Sequence, residues 1–181
     1  MVAALAAAMA AVGLLGASPA FTVGPRSDSD PLWRELSTPL QQFLGERGGG
    51  YVLPEEPVWV QVDEAMSGPP GDMLVFDDSA RMLWACRLHS CDEKGAVVLS
   101  RANKVQAVGL INFHCRFIGD AVDMRKPPRL RKSTCDSFPT VTTFVRRVDN
   151  PREPGAYSEA LQHWADAQVG YALPREVVWI D

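Results

Sequence analysis

The chain has 181 residues, of which 46% are apolar and 22% are charged, and its formal net charge is −4. This length and this balance suit one globular domain built around a single hydrophobic core. The mildly negative charge argues against the strongly basic surface that nucleic acid or an anionic membrane requires, and it fits a basic protein partner.

The first twenty residues predict an export signal. Residues 2–20 carry no charge, consist largely of small and apolar side chains, and end in Ala17-Ser18-Pro19-Ala20. An apolar run that ends in small residues is typical of a secretory signal peptide, so residues 1–20 are predicted to be removed and the protein to be periplasmic or secreted. The alternative is an uncleaved membrane anchor, because the run approaches the ~20 residues of a spanning helix. No other membrane contact is expected.

Two short helices are predicted after a polar lead-in. Residues 21–29 contain Gly and Pro among polar residues, which predicts a flexible segment. Asp30-Pro31 is a helix start, because Asp caps the first turn and Pro suits its first position. Ser37-Thr38-Pro39 repeats this signal, and the apolar residues that follow predict a second helix that ends by the glycines at 48–50.

Strand patterns follow the helices. Val58, Val60 and Val62 alternate with other residues, which predicts a half-buried strand. Further strands are predicted at residues 73–76, 80–86, 95–100, 105–111 and 139–145. Because short polar turns separate most of them, hairpins are expected. The predicted fold is α+β, with an antiparallel β-sheet of about five strands and short helices packed on one side.

The end of the chain repeats an earlier pattern. Residues 50–60 and 170–180 are identical at seven of eleven positions, including a Pro and a Trp. The predicted domain therefore spans residues 21–150, and residues 151–181 form a helix and a strand that echo residues 37–61. The echo has two explanations: a remnant of a duplicated domain, or a helix and strand that pair with the first copy or with a second subunit.

The four cysteines, Cys86, Cys91, Cys115 and Cys135, indicate disulfides if the protein is exported. Four cysteines allow three connectivities, and the simplest joins Cys86 to Cys91 and Cys115 to Cys135, because each pair then brackets a short segment. A bridge over so short a span stabilises the fold by only about 2 kcal/mol, so its main effect would be to shape the loop.

His89 lies inside the small ring that Cys86 and Cys91 would close. It is either a surface histidine in a bridged loop or a key residue presented to a partner. A rigid loop loses little entropy when it docks, which suits insertion into another protein's cleft. Imidazole donates and accepts hydrogen bonds, so His89 suits a cleft with carboxylates at its base, as in glycosidases.

Two chemical alternatives use the same residues. A zinc site could be imagined around Cys86, His89, Cys91, His114 and Cys115, but the spacing is not a standard ligand pattern. A cysteine enzyme would need a free, activated thiol, which a bridge removes. The expectation is therefore a protein that is not an enzyme and has no metal or cofactor.

The hairpin around the bridge resembles the periplasmic inhibitors of vertebrate lysozyme. The resemblance rests on residues 82–91 with their Cys-x-x-His-x-Cys loop, on residues 97–100, and on Val108-Gly109-Leu110. The two helices and the segment from Leu53 to Val60 also fit, so the similarity covers about residues 30–111. It implies an α+β fold, no catalysis, and insertion of the loop into the active-site cleft of lysozyme, the expected partner.

Roles carry over by matching position. The inhibitory loop would be Cys86, Arg87, Leu88, His89, Ser90 and Cys91, with His89 against the catalytic carboxylates and Arg87 as the family's basic residue. The family usually has Pro in place of Leu88 and Asp in place of Ser90, so an envelope binding module that has lost lysozyme inhibition, and binds a wall hydrolase instead, is the alternative. Homodimers occur in the family. The basic segment 125–132 is expected to face away from a basic lysozyme.

Overall fold

The computed structural model describes residues 21–120, 123–127, 130–147 and 155–181. The predicted signal peptide, residues 1–20, and residues 148–154 at the predicted domain boundary lie outside these ranges. Among the described residues, no helix combines the length and the apolar composition needed to cross a bilayer.

A seven-stranded mixed sheet forms the centre of the structure, with the strands in the order β1-β2-β3-β4-β5-β8-β9. All neighbouring strands are antiparallel except β8 and β9, which are parallel. A second sheet contains β6 and β7 alone. The strands are Phe21–Arg26 (β1), Asp72–Phe76 (β2), Arg81–Arg87 (β3), Ser90–Leu99 (β4), Val105–Asn112 (β5), Arg116–Ile118 (β6), Lys132–Thr134 (β7), Thr140–Arg146 (β8) and Arg175–Ile180 (β9).

Three α-helices in the described ranges cover the two faces of the large sheet. They are Ser37–Leu44 (α1), Val58–Ala65 (α2) and Ala156–Val169 (α3). Short 3-10 turns occur at Ser27–Ser29, Trp33–Glu35 and Asp123–Arg125. Helices α1 and α2 contribute to one hydrophobic core, and α3 contributes to a second core on the opposite face.

Strand β4 illustrates how the sheet is buried. Val97 and Leu99 belong to the core beneath α1 and α2, whereas Ala96 and Val98 belong to the core beneath α3. All four side chains are fully buried. A strand that is covered on both faces reads as a continuous apolar run, because neither set of alternate residues faces water.

The predicted α+β class is confirmed, but the sheet prediction is wrong in three respects. The sheet has seven strands, not about five; its last pair is parallel; and helices pack on both faces. Strand β1 lies in the segment that the polar composition predicted to be flexible. It pairs with β2 although most of its residues are exposed, so no burial pattern marks it in the sequence.

The predicted strand at residues 58–62 is also wrong, because this segment is helix α2. Its buried side chains are Val58, Gln61, Val62 and Ala65, which recur at the spacing of a helix face. Gln61 hides this periodicity because it counts as polar in the sequence, yet the side chain is fully buried.

The Gln61 side chain is buried because the backbone of the preceding loop surrounds its amide. Its Oε1 accepts hydrogen bonds from the N–H groups of Tyr51, Val52 and Leu53 at 2.9–3.1 Å. Its Nε2 donates to the carbonyl oxygens of Gly49 and Glu56, both at 2.7 Å. One side chain therefore satisfies five backbone groups and fixes the loop that leads into α2.

The two copies of the repeated sequence adopt different structures. The first copy ends in helix α2, and the second ends in strand β9, which extends the sheet beside β8. Pro57, which caps the start of α2, is replaced in the second copy by Val177, a residue with high strand propensity. Within the described residues, helix α3 and the strand of the second copy therefore pack on the same domain, α3 on a face of the sheet and β9 beside β8.

We expect a Gln61→Met substitution to lower the free energy of unfolding by about 3 kcal/mol, because it leaves buried N–H groups without acceptors. Gln42→Met is the matched control, since Gln42 lies exposed on α1. Urea denaturation followed by tryptophan fluorescence measures both variants. Equal midpoints for the two would show that the Gln61 amide does not organise the loop.

Candidate functional site

The bridged loop is the turn of the β3–β4 hairpin. Arg87 and Ser90 form the last pair of its ladder, so Leu88 and His89 alone make the turn. His89 has a φ of 65°, in the left-handed region that histidine enters more readily than most side chains. Both tip residues are exposed, Leu88 to 52%. The structure thus places His89, exposed, at the tip of a hairpin formed by two central strands of the sheet.

The disulfide between Cys86 and Cys91 closes the base of this turn. The ladder shifts register between Cys86 and Arg87, and residues 91–93 bulge from β4 at this point. The bridge therefore ties β3 to the bulge of β4. The cross-link removes conformations in which the two strands separate, so the tip has few alternatives to its hairpin geometry.

A second disulfide joins Cys115 to Cys135. Together the two bridges form the simplest of the three connectivities that four cysteines allow. Cys115 lies between β5 and β6, and Cys135 follows β7, so this bridge fastens the small sheet to the end of β5. We call residues 113–120 with 130–136 the second disulfide arm.

Residues that precede β2 support the loop. The N–H of Leu88 donates to Ser67 Oγ at 3.2 Å, and the N–H of Gly68 donates to the carbonyl oxygen of Cys86 at 2.8 Å. A Cβ atom on Gly68 would lie 2.7 Å from that oxygen and 2.9 Å from the nitrogen of Leu88. Only glycine allows so close an approach of the two backbones.

Arg87 fixes the base of the loop through two carboxylates. Its Nε donates to Glu64 of α2 at 2.9 Å, and its Nη1 donates to Glu93 of the bulge at 2.6 Å. Burial alone would lower the pKa of Arg87, but the hydrogen bonds to Glu93 and Glu64 outweigh it and raise the pKa. Glu93 is only 5% exposed, so the arginine compensates a buried charge. Arg87 therefore holds the loop in place instead of projecting from it.

Four residues that hold the loop carry little signal in the sequence. Ser67 and Gly68 belong to a stretch that reads only as a turn. Glu64 lies next to a segment whose alternation predicts a strand, and Glu93 reads as one charged residue among several after Cys91. A reading of residues 58–65 as a helix would place Glu64 in its last turn, toward the polar stretch that supports the loop.

A cleft of about 680 Å³ opens between the loop and the second disulfide arm. Ser90 and Arg131 both line it. Arg131 donates to Glu55 at 2.6 Å. The basic segment 125–132 is expected from the sequence to face away from a basic lysozyme; its Arg131 lines the cleft, where Glu55 neutralises it.

The remaining histidines lie apart from the loop. His114 Nε2 is 3.7 Å from Glu176 Oε2, and the ring packs on Tyr51 with centroids 5.5 Å apart. Burial, together with the Glu176 carboxylate, raises the pKa of Tyr51 to about 12. His163 is exposed on α3. All four cysteines are bridged, and within the described ranges no three His, Cys, Asp or Glu residues are placed to hold a metal ion.

Comparisons with known proteins assign neither a family nor a function to the chain. No protein-family model, curated protein or solved structure matches the chain.

We expect Arg87→Met to destabilise the protein by about 3 kcal/mol, because Glu93 is then left buried without its partner. Arg34→Met, at an exposed position, should change stability by less than about 0.5 kcal/mol. The double variant Arg87→Met/Glu93→Met should recover most of the loss, since both charges are gone. Thermal unfolding measures all three, and a double variant less stable than Arg87→Met would contradict the pairing.

Proposed function

We propose that the protein is an exported inhibitor of lysozyme that works by occlusion. The Cys86–Cys91 loop enters the active-site cleft of the enzyme, and His89 bonds the catalytic carboxylates. The observation that carries the proposal is the position of His89, exposed at the tip of a two-residue turn on a bridged hairpin. The resemblance of the loop sequence to the inhibitors of vertebrate lysozyme supports the same function.

Preorganisation supports insertion of this loop as a unit. The tip is held by the disulfide, by Ser67 and Gly68 beneath it, and by the Arg87 ion pairs at its base. Docking immobilises a flexible loop at a cost in entropy, and a loop already held in one shape avoids most of that cost. A rigid, exposed hairpin tip also fits a concave site better than a flat one, and the substrate cleft of a glycosidase is concave.

The chemistry of His89 suits the target. Glycosidases that follow the common mechanism hold two carboxyl groups roughly 5–9 Å apart across the scissile bond, and one of them is protonated in the resting enzyme. An imidazole has two nitrogens, so it can donate to a carboxylate and accept from a carboxylic acid. An imidazole at the base of the cleft would exclude substrate and occupy the acid and base together.

Charge favours encounter with a basic enzyme. The chain carries a formal net charge of −4, and lysozymes of the vertebrate kind are basic. Opposite net charges raise the association rate, and added salt screens the effect. The disulfides are compatible with an oxidising compartment, and the proposed site of action is the periplasm or the extracellular space.

A second candidate is an envelope binding module that does not inhibit lysozyme. The observation that favours it is Leu88, which places an apolar side chain, 52% exposed, beside His89. An apolar tip fits a partner with an apolar subsite next to its polar groups, such as a wall hydrolase. Pull-down from periplasmic extract with wild type and with Leu88→Asp separates the candidates: a hydrolase retained by the wild type and lost by the variant favours the binding module.

His89→Ala should weaken inhibition by about 30-fold, corresponding to about 2 kcal/mol for truncation of a central anchor. His163→Ala is the matched control, because it makes the same change at an exposed position on α3. Clearing of a bacterial cell suspension by lysozyme, followed by turbidity at several inhibitor concentrations, gives the inhibition constants. If the two variants inhibit equally well, His89 is not the inserted residue.

Cys86→Ser/Cys91→Ser should keep the fold and lose affinity. The bridge spans five positions, so its removal costs about 2 kcal/mol of stability or less. The freed tip must then be ordered on binding, which should weaken inhibition by about tenfold. Circular dichroism reports the fold and the turbidity assay reports inhibition. A folded variant that inhibits as well as the wild type would argue against the rigid-loop mechanism.

A further inference from the structure

The cleft beside the bridged loop has walls suited to a long side chain. Leu53 and Pro54 form one part of the wall, and Phe113 and Phe117 of the second disulfide arm form another. The space is about 680 Å³, which is ample for one extended side chain and ordered water. Apolar walls of this kind pack well against the aliphatic stem of lysine or arginine.

The two arginines of the cleft are already neutralised. Arg87 is bonded to Glu64 and Glu93. Arg131 is bonded to Glu55, and its guanidinium lies over the ring of Phe117 at 5.1 Å from the centroid. An anionic ligand would have to compete with these carboxylates for its contacts, so the cleft does not suit one.

The carboxylates of the cleft, in contrast, outnumber the arginines that pair with them. Glu93 lines the cleft and shares one arginine with Glu64. Glu56 also lines it, and its carboxylate has no hydrogen bond or ion pair to any residue that the structure describes. Asp136, a third acidic residue of the lining, is bonded to Arg116 at 3.3 Å. Unpaired negative charge against aromatic and aliphatic walls suits a cation.

We infer that this cleft is a second contact site, which takes a lysine or arginine side chain from the rim of the bound enzyme. The inference rests on the proposed function. Ser90 lines the cleft and directly follows His89 in the chain. An enzyme that receives His89 in its active site therefore covers the cleft, and a basic enzyme has cations to place there.

The test compares two substitutions that change net charge equally. Glu56→Gln removes the unpaired carboxylate of the cleft and keeps the side-chain shape. Glu35→Gln removes an exposed carboxylate of the Trp33–Glu35 turn, outside the cleft. Both variants lose one negative charge, so the long-range attraction to a basic enzyme falls by the same amount in both. A difference between their inhibition constants therefore reports a local contact. Glu56→Gln should raise the inhibition constant for lysozyme about tenfold, mainly through faster dissociation, whereas Glu35→Gln should change it by about twofold or less.

A small probe tests the cleft without the enzyme. Acetyl-arginine amide should shift the NMR signals of Phe113 and Phe117 in the wild type but not in Glu56→Gln. Acetyl-citrulline amide, which is similar in shape but uncharged, should shift neither. Because Glu56 is partly exposed and its side chain bonds to no described residue, the isosteric Glu56→Gln change leaves the fold intact.

The outcomes separate this inference from the proposed function. Suppose that His89→Ala loses inhibition while Glu56→Gln and Glu35→Gln have equal inhibition constants. This result would overturn the cleft as a second contact site and leave the inhibitor proposal standing. Suppose instead that the wild type does not inhibit lysozyme but the cleft binds the arginine probe. This result would overturn the proposal of lysozyme inhibition and exclude lysozyme as the source of the bound cation. Tenfold weaker inhibition by Glu56→Gln and a probe response that depends on Glu56 support both.

Discussion

Burial of the central sheet on both faces is the constraint on which the rest of the structure depends. Helices α1 and α2 cover one face and α3 covers the other, so strands β3, β4 and β5 lie in the middle of the molecule with apolar contacts above and below. Burial of the apolar surface on these two faces is the main favourable contribution to the free energy of folding. The hairpin that carries His89 is formed by two of these interior strands. The position of the loop is therefore set by the core, and the disulfide and ion pairs add local restraint.

The parts of the fold that follow from side-chain pattern could be predicted from the sequence. The hairpin strands β2 to β5 and strand β8 appear as apolar runs between polar turns, because each buries at least one face. The parts that depend on tertiary hydrogen bonds could not. Gln61 looks like the polar half of a strand alternation, and only the loop backbone around its amide explains why it is buried in a helix. Strand β1 is held by pairing with β2 while its side chains remain largely exposed.

The candidate site also has a part that the sequence predicts and a part that depends on tertiary contacts. The spacing of Cys86, His89 and Cys91 identifies the loop without any coordinates, since two close cysteines and a histidine between them leave few geometries. The residues that hold the loop come from elsewhere: Glu64 from α2 and Ser67 from the segment before β2. No local pattern links them to residue 89, because such contacts arise only when the sheet and helices assemble. The cleft next to the loop depends on the same assembly.

The two-residue turn at Leu88 and His89 has a consequence for attack by proteases. Proteases cleave segments that can extend through their active sites over several residues, and they attack exposed loop tips most readily. Here Arg87 and Ser90 pair on either side of the turn, and the disulfide joins Cys86 to Cys91, so the tip cannot be drawn out as an extended stretch while the bridge is intact. We therefore expect the exposed tip to resist proteolytic cleavage.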